Sequence, residues 1–239
     1  MAYFRYQTHL LHYSVSGKGK PLVLIHGLSG SVRWWQRNLG PLESEFTVYA
    51  PDLVGFGFSR GQRPLGIRDS AALLGTWMRE IGLERPAVVG HSMGGHTALH
   101  LAAADPESIS KLVLVAASAL VSGKLLPLAA RLPAASVLGA KSFLPTLAYD
   151  AARAGPLNLL RAAREIVSDD TSGILERVTC PTLLVWGERD VLVPRDLGVK
   201  LAEQIPGSRF VEIAGAGHNV MFDRAQEFNR VLLDFLHEA

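Results

Sequence analysis

The sequence predicts an α/β protein: a mostly parallel sheet of eight strands, flanked by helices, with a helical insertion between two of the strands. Three observations carry this expectation. Short, nearly continuous apolar runs stop at Gly, Asp or Ser, as strands buried on both faces do. Between them lie stretches of helical length and apolar spacing, the pattern of βαβ units. One interval, residues 119–175, holds only Leu- and Ala-rich pieces cut by prolines.

YFRYQTH (3–9) and LLHYSVSG (10–17) alternate polar with apolar residues and predict an opening antiparallel pair. PLVLIHG (21–27) is the first buried strand, and a helix is expected over 32–40. FTVYAPD (46–52) and PAVVGHS (86–92) repeat the strand form, followed by helices over 69–82 and 94–104. KLVLVAAS (111–118) precedes the insertion. PTLLVWG (181–187), a helix over 195–205, RFVEIAG (209–215) and a helix over 222–237 complete the series. Helices do not run through Pro127, Pro133, Pro145 and Pro156, so the insertion divides into three or four short helices. A long insertion at a strand end reads as a cap over one edge of the sheet. The expected division is therefore a core of 1–118 and 176–239 and a cap of 119–175.

The 239 residues fit one large domain, and 48% hydrophobic against 19% charged residues excludes a disordered chain. A net charge of +2 is too small for a nucleic-acid footprint. Cys180 is the sole cysteine, which excludes an internal disulfide and a cysteine-based metal cluster and suits a reducing, cytoplasmic setting. No signal-peptide pattern opens the sequence. The longest apolar run, LVLVAASALV (112–121), falls short of the ~20 residues of a membrane span, so no membrane partner is expected.

The chemistry points to PAVVGHSMGGHTAL (86–99). A turn that swings directly from a buried strand into a helix crowds its own backbone. Gly90 and Gly94 remove the Cβ atoms that would collide, Ser92 is left exposed at the apex, and Gly95 eases helix-to-strand packing. A serine hydroxyl needs a base to take its proton and a third group to orient that base. Asp190 in LLVWGERD and His218 in EIAGAGHNVMF each follow a buried strand by a short loop. All three groups fall at carboxyl ends of strands, where open α/β sheets place their sites.

GHSMGG, HGLSGS, PDLVGFGFS, GERD and GAGH, in this order and spacing, resemble the α/β-hydrolase superfamily over nearly the whole chain. The resemblance implies an α/β-hydrolase fold with Ser92 as nucleophile, His218 as base and Asp190 as its orienter. It assigns the oxyanion hole to the backbone N–H groups of Leu28 and Met93. Serine in place of aspartate argues against epoxide hydrolase and haloalkane dehalogenase chemistry and for acyl transfer, with no metal or organic cofactor. The short cap is similar to those of small carboxylesterases, enol-lactonases and cofactor-free haloperoxidases. The expected reaction is hydrolysis of carboxylic esters of small to medium apolar acids. Lactone opening or cleavage of a carbon–carbon bond in a diketone is the alternative. A non-catalytic ligand receptor is the alternative of another class, disfavoured because all three triad members are present.

His26 and His91 are expected to brace backbone turns, and His9, His12 and His237 to be solvated. His96 and His100 stand four apart on one helix, a metal-ligand spacing. No third ligand is evident, so the pair is read as packing. Glu188 is expected to face water and Asp52 to be structural. Trp34, Phe143 and Tyr149 are assigned to the substrate pocket, Trp35 and Cys180 to the core. Residues 119–164 carry Lys124, Arg131, Lys141, Arg153, Arg161 and Arg164 against one acid, Asp150. These cations are read chiefly as wet helix faces. The sharper reading is an anionic or carrier-borne ester substrate.

Overall fold

β1 (Ala2–Tyr6) and β2 (His9–Gly17) form the expected antiparallel pair, and β2 pairs antiparallel with β4 (Phe46–Asp52) along its other edge. β3 (Lys20–Ile25) lies between β4 and β5 (Ala87–His91), and β6 (Lys111–Val115), β7 (Thr182–Gly187) and β8 (Arg209–Ile213) continue the parallel run. The eight-stranded order is β1-β2-β4-β3-β5-β6-β7-β8. This is a computed structural model, and it describes residues 2–123, 131, 134–135 and 138–238.

Successive strand residues face opposite sides of the sheet, so each strand feeds two cores. Val23, Ile25, Val88, Leu112 and Leu114 meet α2 (Ile67–Glu80) and α3 (Met93–Ala104) on one side. Leu22, Leu24, Val89, Val113 and Val115 meet Trp35, α1 (Leu39–Glu43) and Phe228, Leu232 and Phe235 of the C-terminal helix on the other. α2 buries Ile67, Ala71, Leu74 and Met78, spaced three and four apart as an amphipathic stripe requires.

Three elements end or break where the sequence reading ran on. The expected helix over 32–40 is a 3-10 turn, Val32–Trp35, followed by the separate α1. Asn38 sits between them fully buried, its amide donating to the Met221 carbonyl and to Asn229, which holds the break in place. β6 stops at Val115 because Ala116 takes φ +46°. The expected C-terminal helix is divided at Arg224 into α7 (Val220–Asp223) and α8 (Ala225–His237).

In the insertion, α4 (Leu144–Ala154) and α5 (Pro156–Ser168) are joined at Gly155, whose φ is +79°. Pro145 and Pro156 do not cut helices; they open them, in the first turn where a missing N–H costs nothing. Pro127, Pro133 and Lys124 lie outside the described residues. α6 (Arg195–Gln204) connects β7 to β8 as expected. Among the described residues no helix is long and apolar enough to cross a membrane.

Candidate active site

The turn from β5 to α3 is as crowded as its sequence implies. A Cβ at Gly90 would collide with the Gly94 carbonyl, and one at Gly94 with the carbonyls of Ile25 and His26. Ser92 holds φ +51°, a left-handed value costly for a residue with a side chain. The surroundings enforce it. The Ser92 N–H donates to the Val115 carbonyl at 2.8 Å, and the Ser92 carbonyl accepts from His96 at 3.0 Å and Ser118 at 3.2 Å. Ser29 (φ +67°) and Ala116 (φ +46°) are strained on the same sheet edge.

Asp190 and His218 meet across the loops after β7 and β8. His218 Nδ1–H donates to Asp190 Oδ2 at 2.8 Å, which leaves Nε2 as the basic nitrogen. The other carboxylate oxygen accepts from the Leu192 and Val193 N–H groups at 2.9 and 3.0 Å, so the acid is held from both sides. The two loops approach closely because Gly187 has no Cβ to strike the Ala216 and Gly217 carbonyls. Asp223 accepts from the Gly217 and Ala140 N–H groups and ties the histidine loop to the insertion. Burial raises its pKa despite those two bonds.

The neighbouring histidines brace backbone, as expected. His26 Nδ1–H donates to the Gly27 carbonyl at 2.8 Å while Nε2 accepts from the Leu53 N–H at 2.9 Å, which fixes one neutral tautomer. His91 Nε2–H donates to the His218 carbonyl at 3.0 Å, and its ring lies 4.9 Å from the His218 ring. Burial, reinforced in His91 by the nearby His218, holds both pKa values below the ordinary 6.5, His91 well below. A Gly30-to-Gly27 turn follows His26, and the Leu28 and Met93 N–H groups donate to no acceptor among the described residues.

Ser92 and His218 open onto a cavity of about 640 Å³ between the sheet edge and α4 and α5. Trp34 and Phe143 line it, with Leu144, Leu147, Leu159 and Ile166 adding apolar wall. Tyr149 does not. α4 turns Leu144, Leu147 and Ala151 inward, and a residue two positions from 147 falls on the opposite face. Tyr149 is 49% exposed there, with the guanidinium groups of Arg33 and Arg153 over its ring.

Several residues escaped the sequence reading. Asp150, which the sequence marks only as the one acid of residues 119–164, is 1% exposed. Its Oδ2 accepts from Ser31 Oγ at 2.7 Å and Trp34 Nε1 at 3.1 Å, and Oδ1 from Arg33 at 3.0 Å. It thereby ties α4 to the loop beneath the cavity. Ser118 and Asn219 line the cavity near Ser92 and His218. Ser118 Oγ is buried with no partner among the described residues. A polar residue just beyond the end of a parallel strand was the available signal. His12 is buried rather than solvated, donating from Nδ1 to Asp52 at 2.9 Å, because β2 pairs with β4. Burial opposes ionisation of Asp52, but His12, His26 and two backbone N–H groups outweigh it and hold its pKa low. His237 is exposed and Glu188 half-exposed, the latter accepting from the Gly215 N–H. Trp35 and Cys180 are buried.

Known proteins resemble this chain over nearly its full length. A family model described as alpha/beta hydrolase family matches residues 22–231. A 2-hydroxy-6-oxo-6-phenylhexa-2,4-dienoate hydrolase of Comamonas testosteroni is 30% identical, over 96% of this chain and 92% of its own. The enol-lactonase of Burkholderia xenovorans LB400 superposes with a TM-score of 0.85 at 24% identity, covering 99% of this chain and 100% of its own. A bromoperoxidase of Bacillus anthracis gives the same TM-score at 27% identity, covering 96% of each chain.

Proposed function

The chain belongs to the alpha/beta hydrolase family, and from that premise we propose that it hydrolyses carboxylic esters of apolar acids, lactones included, through an acyl-enzyme on Ser92. The observation that carries the reading is the composition of the cavity on which Ser92 and His218 open. Its walls are largely apolar, and no Arg or Lys is among the described residues that line it.

In this reading Ser92 Oγ attacks the ester carbonyl while His218 Nε2 takes its proton. Asp190 accepts from Nδ1 and stabilises the imidazolium that forms, without itself being protonated. The Leu28 and Met93 N–H groups receive the oxyanion of the tetrahedral intermediate, a contribution of about 3–4 kcal/mol per donor. Collapse breaks the ester C–O bond, and His218 returns its proton to the leaving alkoxide. Water then repeats the sequence on the acyl-serine. The apolar walls suit an acyl chain, with Ser118 and Asn219 the nearby polar contacts. No metal or organic cofactor enters this sequence. The exposed Arg131, Lys141, Arg161 and Arg164 have no acyl-binding role in it, so the Michaelis constant for a neutral ester should not respond to salt.

A second reading, carbon–carbon hydrolysis, is favoured by the likeness to the Comamonas testosteroni hydrolase, whose named substrate is a dienoate. A carboxylate in the cavity calls for a cationic or strongly donating partner. The deciding experiment is turnover of p-nitrophenyl acetate through octanoate, a series of lactones, and 2-hydroxy-6-oxo-6-phenylhexa-2,4-dienoate by one preparation. Ester or lactone turnover that rises with acyl length supports the proposal. Turnover of the dienoate alone replaces it with the second reading, and no turnover of any of them would point to a binding protein.

A further inference from the structure

The pair His96 and His100 gains a third partner from 69 residues away. Asp169, just past the end of α5, reaches across to α3, and His96 Nε2 lies 2.9 Å and His100 Nε2 2.5 Å from the same oxygen, Oδ2. We propose that His96, His100 and Asp169 bind a divalent transition metal of the zinc type, at a site separate from the cavity and independent of the reaction assigned to it.

Four observations support the assignment. The i, i+4 spacing sets both imidazoles on one face of α3, with their rings stacked 5.5 Å apart. Two imidazole nitrogens and one carboxylate oxygen form a donor set that suits zinc, cobalt or nickel rather than calcium or magnesium. The three ligand atoms lie within 4.8 Å of one another. An ion bonded at 2.0–2.1 Å needs ligands about 3.3 Å apart, so His100 would draw back from Oδ2 by under about 1 Å and the two imidazole nitrogens would close from up to 4.8 Å. His100 can do so, because it borders a groove of about 770 Å³ between α2 and α3, which is also an entry path. The other oxygen of Asp169 is already held by Arg68 Nε at 2.7 Å. That contact leaves Oδ2 turned toward the rings, as an outer partner does for a ligating carboxylate. A water would complete the tetrahedron from the groove.

The site joins two parts that serve the cavity. α3 begins immediately after Ser92, and α5 supplies Leu159, Leu160 and Ile166 to the cavity wall. A bound ion would therefore fasten the end of α5 to the serine's helix and raise the melting temperature of the whole protein. The test is titration of untagged protein with Co²⁺, followed by visible absorption, and with Zn²⁺, followed by calorimetry and thermal melting. The expected result is about one ion per chain, a tetrahedral Co²⁺ band and a rise in Tm. His100→Gln and Asp169→Asn should each weaken binding by at least about tenfold. His237→Gln, an exposed histidine elsewhere, should change nothing. His100 sits at the groove rim, so its variant remains decisive if loss of Asp169 unfolds the protein; circular dichroism checks each fold. Absence of saturable binding, or binding equal in wild type and His100→Gln, would overturn the proposal.

Discussion

Removing the carboxylate of Asp150 should loosen the insertion from the rest of the fold and widen the cavity at once. Asp150→Ala strips the acceptor from two buried donors, Ser31 Oγ and Trp34 Nε1, each worth about 1–3 kcal/mol when left unpaired. Arg33 is 36% exposed and turns to water at little cost, so its ion pair adds almost nothing. The expected loss is about 2–6 kcal/mol, against a whole-domain stability of about 5–15 kcal/mol. Asp150→Asn keeps the volume. It also keeps one oxygen, enough for both buried donors, since both converge on Oδ2. It should cost only about 1 kcal/mol. Urea unfolding separates the two: at roughly 3 kcal/mol per molar, the alanine variant should lose about 0.7–2 M in midpoint and the asparagine variant a few tenths. Trp34 lines the cavity, so the alanine variant should also raise the Michaelis constant for long-chain p-nitrophenyl esters more than it lowers kcat. Equal midpoints for the two variants would refute this account of how the helix is tied down.

Ser92→Ala should lower kcat on p-nitrophenyl butyrate by several orders of magnitude while the urea midpoint stays near wild type; a small loss of rate would remove the serine from the mechanism. Asp190→Asn should slow turnover with little change in the Michaelis constant, and Glu188→Gln should change neither, so greater damage from the latter would reassign the acid. Falling pH should destabilise the protein through His91. Burial keeps it neutral when folded, whereas its unfolded imidazole protonates near 6.5. The unfolded state thus binds more protons below that value, so this contribution is full above pH 6.5 and declines below it. The limit is about 1.4 kcal/mol lost between pH 7.5 and 5.5, which His91→Gln should abolish in urea titrations at the two values. An unaltered slope would show that His91 is not the group responsible.

Local crowding is legible in a one-dimensional chain. Gly90, Ser92 and Gly94 identify the sharp turn because the clash they relieve involves residues within a few positions of one another and one adjacent strand. The strands are legible for a similar reason: an apolar run bounded by breakers has few ways to hide from water. Once the strands are counted, chain order leads to Asp190 and His218, whose contact the fold then makes at 2.8 Å. Position along the chain misled at His12, which lies near the terminus yet is buried by pairing of β2 with β4. Composition misled at Tyr149 and Asp150. Both belong to a helix over the cavity, but only the packing of α4 decides which side faces inward, and it exposes the aromatic while burying the acid.

The amino-acid sequence by itself determined the alternation of strands and helices, the turn that presents Ser92, and the loops that carry Asp190 and His218. Backbone sterics and apolar periodicity act over short distances, and they set all of these. Tertiary structure alone decided which faces of α4 and α5 wall the cavity, that Asp150 secures Trp34, and that Asp169 joins His96 and His100. Those contacts unite residues 69 to 119 positions apart. Their partners are chosen by how helices dock on the sheet, which no local pattern records.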